Sequence, residues 1–539
     1  MKTIAESRAS ALAAVVLAGA LLHFFGTNVA DPDLWGHLRY GRMMWEGDFP
    51  HFDTFSYTAA GERFFDHEWF SDFLTAGLWH LAGSGGLIFA KLLIGVAILW
   101  LLRDAAREWG RCWYPEFRVH PLTEALVLVL ALAVISPGAS FRPQLWTMLL
   151  LAGQLSLLAR AERRLLTRSY DGRIGWEVGV QPALIALWAN LHGGFLVGVA
   201  VFGLFVASAL VRALFGIYPV RLRPRTAVLL GAVGLAALAA PILNPWGIDL
   251  YAYLWRTLGD HGAIREWHAV GLLDPNFFRF QLMVVAAFVA VLFLWRAGRQ
   301  PRALLCTHWW WPLLLFAALY AYRHQRHTVL FAEIAVPVLV LAAERARRVL
   351  VRRWPALVPS PVALRALAAA LVLIAGMQAG AWGRVLARDG LAIRFDRFEY
   401  PVDAVSFLQA NGLRGNVAMP FEWGAYANWK LGEEFQVFID GRFEAVFPPQ
   451  IIEDYFRFTE GVAGWERLLD EYPTEIVVVQ RWRGIHPRLF AREDLHYVYS
   501  DPAALVFVRP TATNAAALDR LTRIADGRLA FEQRDTVFP

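Results

Sequence analysis

The sequence predicts a polytopic α-helical membrane protein of about eleven transmembrane helices, followed by a C-terminal soluble α/β domain. Three observations carry this prediction. Apolar runs reach membrane-crossing length, arginines alternate between successive loops, and the composition changes near residue 385.

The first observation is compositional. The chain has 539 residues, of which 57% are apolar and 18% charged, with a mean hydropathy of +0.39. A membrane class follows. Runs at 10–30, 194–214 and 361–384 approach or exceed the roughly 18 to 20 residues that cross a hydrocarbon core about 30 Å thick. The net charge of +6 comes from arginines in short loops between these runs, so it reports topology and gives no reason to expect a nucleic-acid partner. The two cysteines, Cys112 and Cys306, both fall near loops assigned to the cytoplasm, so no disulfide framework supports an exported part. The first thirty residues read as a retained helix and not as a cleaved signal, because the apolar run exceeds a typical h-region of roughly 7 to 15 residues.

The second observation fixes the expected topology. Starting from a cytoplasmic N-terminus, spans are expected at 10–30, 85–102, 121–138, 145–160, 178–190, 194–214, 226–243, 279–296, 303–321, 327–343 and 361–384. The inside loops then carry Arg103, Arg107, Arg111 and Arg118; Arg160, Arg163, Arg164, Arg168 and Arg173; Arg212, Arg221, Arg223 and Arg225; Arg296, Arg299 and Arg302; and Arg345, Arg347, Arg348, Arg352 and Arg353. This is the positive-inside pattern. Residues 68–82 are apolar with a helical period but short, and the arginine rule leaves one crossing between Glu68 and Arg103, so this piece is expected along the interface.

The outside loops are poor in arginine and rich in other polar groups. They hold Asp31-Pro32-Asp33, His67-Glu68-Trp69, Phe141-Arg142-Pro143-Gln144, Asn190-Leu191-His192-Gly193-Gly194, Asn244-Pro245-Trp246-Gly247 and Arg323-His324-Gln325-Arg326-His327. Singly, each cluster is explained by helix ends and interfacial anchoring. Together they imply a site, because ionisable groups at a membrane are costly and are kept where they line a cavity or a substrate path.

The third observation divides the chain into a transmembrane domain, 1–384, with a first outer loop at 31–67, and a periplasmic α/β domain, 385–539. Within the latter the pattern predicts a helix at 402–411 stopped by Asn411-Gly412. Strands are expected at 435–440, 475–480, 495–500 and 504–508, with a helix near 462–471.

The first outer loop is the richest in chemistry, with Asp31, Asp33, Asp53, Asp66, Glu68, His37, His51 and His67. Between Asp33 and Glu46, Leu34, Leu38, Met44 and Trp45 alternate with Arg39 and Arg42, which predicts an amphipathic helix lying on the membrane. A carboxylate where the first span leaves the bilayer can be tuned as a general base, whereas the plain alternative is that Asp-Pro-Asp caps the following helix.

On these residues the chain resembles the integral-membrane C-type (GT-C) glycosyltransferases. A first helix ending at an acidic pair, an outer loop with a second acidic motif, about eleven spans and an exported C-terminal domain share the family's plan. The matching motifs are Asp31-Pro32-Asp33, His67-Glu68-Trp69, Phe141-Arg142-Pro143-Gln144, Trp188 to Gly194 and Asn244-Pro245-Trp246-Gly247. Phe421-Glu422-Trp423-Gly424-Ala425-Tyr426 and Phe438-Ile439-Asp440-Gly441-Arg442 look like those of bacterial members with such a tail. Protein O-mannosyltransferases and lipid A aminoarabinose transferases are more distant relatives. Protein O-mannosyltransferases place adjacent Asp and Glu in the first loop, so the Asp-Pro-Asp here leaves open which aspartate takes the catalytic position.

The resemblance implies an inverting transfer of a sugar from a polyprenyl-phosphate donor, on the outer face of a bacterial inner membrane, to a periplasmic glycan, lipid or protein. Asp33 or Asp31, with Glu68, would be catalytic. His67, Arg142, Gln144, Asn190, His192, Arg323, His324, Arg326 and His327 would bind substrate, with the arginines on phosphate because their planar fork offers paired charged donors. The sequence holds no convincing Gly-rich phosphate loop, which agrees with a lipid-borne donor. The oxygen ligands on this face suit a divalent cation, Mg or Mn, bridging Asp31, Glu68 and the donor phosphate, and no zinc spacing occurs. Two other readings stay open: an oligosaccharide ligase or polymerase using a lipid-linked glycan, and a non-catalytic membrane subunit for which Asp440-Gly441-Arg442 is a docking turn.

Overall fold

The computed structural model describes residues 2–167, 175–216, 222–257, 265–297, 308–357, 360–523 and 536–539. Arg168, Arg173, Arg221, Arg299, Arg302, Cys306 and the start of the span expected at 303–321 lie outside the described residues.

The chain divides into two compact units. The first holds residues 1–27, 88–248 and 259–390, and the second 28–87, 249–258 and 391–539. The first outer loop therefore shares a unit with the C-terminal segment.

The described helices of the first part of the chain are α1 (Lys2–Phe25), α2 (Leu34–Trp45), α3 (Trp69–Trp113), α4 (Pro121–Ile135), α5 (Gln144–Thr167), α6 (Trp176–Gly179), α7 (Gln181–Leu191), α8 (Phe195–Leu214), α9 (Pro224–Ala239), α10 (Asp249–Thr257), α11 (Phe278–Ala297), α12 (Trp310–Arg323), α13 (Thr328–Arg353) and α14 (Pro361–Asp389). Among the described residues, seven segments are long and apolar enough to cross a membrane: Glu6–Phe25, Trp69–Trp113, Pro121–Gly138, Phe195–Leu214, Pro224–Ile242, Pro275–Arg296 and Val362–Asp389. The remaining expected spans are helical too, but α7 has only 11 residues and the described part of α12 only 14. Helix α3 is broken at Gly83, which has non-helical backbone angles, so the stretch expected along the interface is a helical segment separate from the apolar run after it.

In the first unit, α13 is the central helix. Every residue from Thr328 to Ala342 is buried, and the helix packs on α4, α11 and α12. Helix α1 packs on α4 and α14, and the Trp382 indole N–H donates to the Gly26 carbonyl at 2.9 Å. Many arginines read as topology signals have carboxylate partners. Glu124 takes Arg103 and Arg107, Glu344 takes Arg347 and Arg348, and Arg212 is fully buried against Glu162. Removing Arg212 would leave the Glu162 carboxylate buried without its cation, which is costly. Lys91, one of the few charges inside a span, donates to the carbonyl and hydroxyl of Thr27 at 2.6 and 3.0 Å.

The second unit is built on a five-stranded mixed sheet of order β2-β1-β3-β5-β4, with β1 Gly415–Ala418, β2 Phe435–Val437, β3 Ile476–Gln480, β4 His496–Ser500 and β5 Ala504–Val508. β1 runs parallel to β2 and β3, and β5 runs antiparallel to β3 and β4. The β-branched run Ile476–Val479 and all of β5 are buried, as central strands covered on both faces should be. Around the sheet lie α15 (Val402–Ala410), α16 (Phe421–Leu431) and α17 (Pro449–Glu460). The helix expected near 462–471 shrinks to Arg467–Asp470, because a left-handed cap at Gly461 ends α17 and Gly464 also has positive φ.

Helix α2 forms where the amphipathic pattern predicts, but the first part of its apolar face packs on protein, while Trp45 at its end is 58% exposed. Leu34, Trp35 and Leu38 are buried, and α2 packs on α16. Trp35 sits among Phe395, Tyr400, Tyr426 and Phe538 at ring distances of 5.0 to 5.2 Å. A surface amphipathic helix and one docked on protein have the same periodicity.

Candidate active site

The second unit gathers the acids of the first outer loop. After Pro32 the chain turns into α2, and the Asp33 N–H donates to Asp31 Oδ1 at 3.1 Å. Asp33 stands at the N-cap of α2 yet its side chain makes no capping bond, so helix capping does not account for its carboxylate.

One turn later, the His37 N–H donates to the Asp33 carbonyl at 3.0 Å, and His37 Nδ1 lies 2.8 Å from Asp72 Oδ1. Burial opposes charge on this ring. Asp72, bonded to it, together with Glu68 and Asp33, outweighs burial and raises the His37 pKa to about 10. The ring is thus an imidazolium among carboxylates. The neighbouring Asp66 carboxyl is pushed well above the usual carboxylate range by burial, then by Asp72 and Glu68, against the opposing effects of His37 and the Glu68 N–H. That N–H donates to Asp66 Oδ1 at 3.2 Å. Glu68 Oε1 lies 3.6 Å from His67 Nε2. The cluster therefore contains the expected Asp31, Asp33, His67 and Glu68, and adds His37, Asp66 and Asp72.

A second network fixes the loop from the C-terminal side. The Arg442 guanidinium lies 2.6 Å from Asp53 and 2.8 Å from Asp440, with the rings of Tyr40, Phe55, Phe64 and Phe447 between 5.1 and 5.7 Å away. Asp53 also accepts the N–H groups of Phe55 and Ser56 and the Ser56 hydroxyl. Asp440 is fully buried and the Arg442 side chain is only 6% exposed, so Asp440-Gly441-Arg442 is not a docking turn for a partner.

The first unit holds a separate cationic and aromatic cluster. Arg142, before α5, pairs with Glu266 at 3.0 Å. The adjacent Trp267 lies under the Arg326 guanidinium at 4.8 Å, and its carbonyl lies 2.9 Å from His324 Nδ1. The His327 ring stacks on Tyr320 at 4.4 Å, and His192 and Arg326 are close enough for their charges to act on it. His192 Nδ1 accepts from the Gly194 N–H at 2.8 Å and from the Thr147 hydroxyl at 2.8 Å, with Thr147 in turn accepting from the Trp188 indole. Nδ1 is then an acceptor and the proton of a neutral ring sits on Nε2. The remaining expected residues take other positions. The Gln144 amide donates to the Gly138 carbonyl, Asn190 donates to the carbonyls of Ala186 and Leu243, and Arg323 ends α12 with its side chain exposed. Glu266 and Trp267 were not singled out in the sequence, since no periodicity marks a short loop helix.

No protein-family model and no curated protein matches the chain. Solved structures do resemble it, among them three membrane transferases. The oligosaccharyltransferase of Archaeoglobus fulgidus aligns over 87% of this chain and 69% of its own, with a TM-score of 0.58 and 12% identity. ArnT from Cupriavidus metallidurans aligns over 95% of this chain and 99% of its own, with a TM-score of 0.54 and 15% identity. The mycobacterial arabinofuranosyltransferase AftD aligns over 93% of this chain, which spans 40% of it, with a TM-score of 0.50 and 16% identity. The chain thus has the fold of the GT-C membrane glycosyltransferases.

Proposed function

We propose that the protein is a membrane glycosyltransferase that moves a sugar from a polyprenyl-phosphate donor to an acceptor on the outer face of the bacterial inner membrane. The observation that carries this reading is the placement of the Asp33 carboxylate, set at the start of α2 beside Asp31 and near the His37–Asp72 pair. The GT-C fold supports it, since the solved neighbours described above are glycosyltransferases.

In this reading the acceptor O–H loses its proton to Asp33 as its oxygen bonds to the anomeric carbon. The bond from that carbon to the phosphate oxygen breaks, and polyprenyl phosphate leaves with the electron pair. Attack opposite the leaving group inverts the anomeric centre. Asp31 orients Asp33 through its N–H, and Glu68 shares the acidic cluster. Arg142 and Arg326, with His192, His324 and His327, bind the phosphate, where charge grows as the bond breaks. A divalent cation, Mg or Mn, would draw on Asp31 and Glu68. Among the described residues no group of three or more His, Cys, Asp or Glu is placed to hold one, so its other ligands would be phosphate oxygens and water.

The same reading assigns the protein about eleven spans, a cytoplasmic N-terminus, a periplasmic C-terminal domain from about residue 385, and contact with membrane lipid on the apolar helices. The experiment is to incubate the purified chain with glucosyl, mannosyl, galactosyl and arabinosyl polyprenyl phosphates and an envelope extract, measuring release of polyprenyl phosphate. Release with at least one donor, abolished in Asp33→Asn, supports the reading. A second reading, transfer of a lipid-linked oligosaccharide, has the archaeal oligosaccharyltransferase in its favour. It is the reading to adopt if only a lipid-linked glycan is consumed.

A further inference from the structure

The two C-terminal motifs, Phe421 to Tyr426 and Phe438 to Arg442, lock into each other and then onto the first outer loop. A methyl group on Gly424 would stand 2.6 Å from the Asp440 Cβ and 2.9 Å from its Cα, so α16 and the strand exit after β2 meet at a separation only glycine permits. Asp440 seated there accepts the Arg442 N–H at 3.1 Å and pairs with its guanidinium, which reaches Asp53 in the loop. Backbone bonds run alongside: the Val437 N–H donates to the Phe55 carbonyl at 3.1 Å, and the Thr58 hydroxyl donates to Phe438 at 2.5 Å. Gly441, at the centre of this turn, is thereby fixed from both sides.

Gly441 faces Asp33. A methyl group at position 441 would stand 2.8 Å from Asp33 Oδ1 and 3.9 Å from Asp33 Cγ, and, its two chain neighbours aside, would meet no other heavy atom of the described residues within 4 Å. The backbone φ at Gly441 is not positive, so alanine is not strained there. Among the described residues, the group that an added methyl displaces is the carboxylate of Asp33, the end of a side chain able to rotate.

We propose that the Asp440-Gly441-Arg442 turn positions the Asp33 carboxylate for catalysis, which makes Gly441 a positioning residue contributed by the C-terminal segment. This rests on the assignment of Asp33 as the base. The turn is a fixed wall, held by Arg442 between Asp53 and Asp440, and it limits where the carboxylate can stand. Positioning matters at this scale, because a displacement of about 1 Å can cost about a hundredfold in rate.

The test uses the full chain and the polyprenyl-phosphate sugar that it turns over, with four proteins: parent, Gly441→Ala, Asp33→Ala and the double variant. Gly441→Ala is expected to lower kcat roughly tenfold, with the donor KM and the melting temperature within error of the parent. In the Asp33→Ala background, adding Gly441→Ala should change nothing further, because the group it displaces is gone. A Gly441→Ala protein with the parent kcat overturns the positioning role, as does an equal loss in both backgrounds. Asp33→Asn, assayed beside them, separates the two failures. An inactive Asp33→Asn with a normal Gly441→Ala removes only the positioning role, whereas an Asp33→Asn at the parent rate removes the base and the positioning role with it.

Discussion

His37 Nδ1 and Asp72 Oδ1 lie 2.8 Å apart, joining the helix that follows Asp33 to the helix that follows Glu68. The pair ties together the two acidic motifs of the first outer loop, which the sequence places more than thirty positions apart. Because the imidazolium is held by Asp72, Glu68 and Asp33, its protonation is part of what keeps the cluster assembled.

This gives a pH dependence of stability. The His37 pKa is raised in the folded state to about 10 from an ordinary value of 6.5, so the folded chain keeps a proton that the unfolded chain loses. The contribution is fully present below about pH 6.5 and is lost as pH rises toward 10. Melting temperature in detergent should fall across that window, and His37→Gln should flatten the fall, as measured by tryptophan fluorescence.

Arg442 provides a stability prediction. Its guanidinium is buried between Asp53 and Asp440, so Arg442→Ala leaves two buried carboxylates without their cation. Breaking a buried pair on one side typically costs about 3 to 5 kcal/mol. Hydrogen exchange should rise at residues 50–66 and 435–445, while exchange in α13 stays as in the parent.

Arg142 is expected to act on the donor. A hydrogen bond to a charged group contributes about 1.5 to 3 kcal/mol, so Arg142→Ala should weaken binding of the polyprenyl-phosphate sugar by roughly 10- to 100-fold. Glu266 occupies the same guanidinium in the structure, so Glu266→Gln should tighten donor binding or leave it unchanged. Equilibrium binding of a labelled donor distinguishes these outcomes from a change in turnover.

The orientation is open to a direct check. A reporter fused after residue 390 should be active only in the periplasm, as the arginine asymmetry predicts. Cytoplasmic activity at that junction contradicts an outward-facing site.

Parts of this account were legible in the sequence for definite physical reasons. Long apolar runs can hardly be anything but buried or spanning helices, and the strand at Ile476–Gln480 announces itself by three consecutive valines. Asp31, Asp33 and Glu68 were visible because acids beside a span are costly. Asp72 was missed because, inside an apolar helical run, nothing local marks it as the partner of His37. The burial of α2 was also hidden: Leu34 and Leu38 fit lipid and protein equally well, and only Trp35 among four aromatic rings decides between them. The Asp440-Gly441-Arg442 turn reads as a surface feature from composition, yet its arginine has two acidic partners, one of them nearly 400 positions earlier in the chain. Such long-range pairing leaves no periodic trace.

If loop one carries the catalytic base, single-turnover transfer must be slowed in Asp33→Asn and Asp31→Asn proteins shown to be folded and membrane-inserted. Asparagine keeps the size of the side chain and removes its basicity. General-base assistance is typically worth about 10² to 10⁴ in rate, so Asp33→Asn should lose turnover by that order with donor binding little changed. Asp31→Asn, which keeps an acceptor for the Asp33 N–H, should lose less. Transfer by both variants at the parent rate would contradict the account and reduce Asp31-Pro32-Asp33 to a turn before a helix.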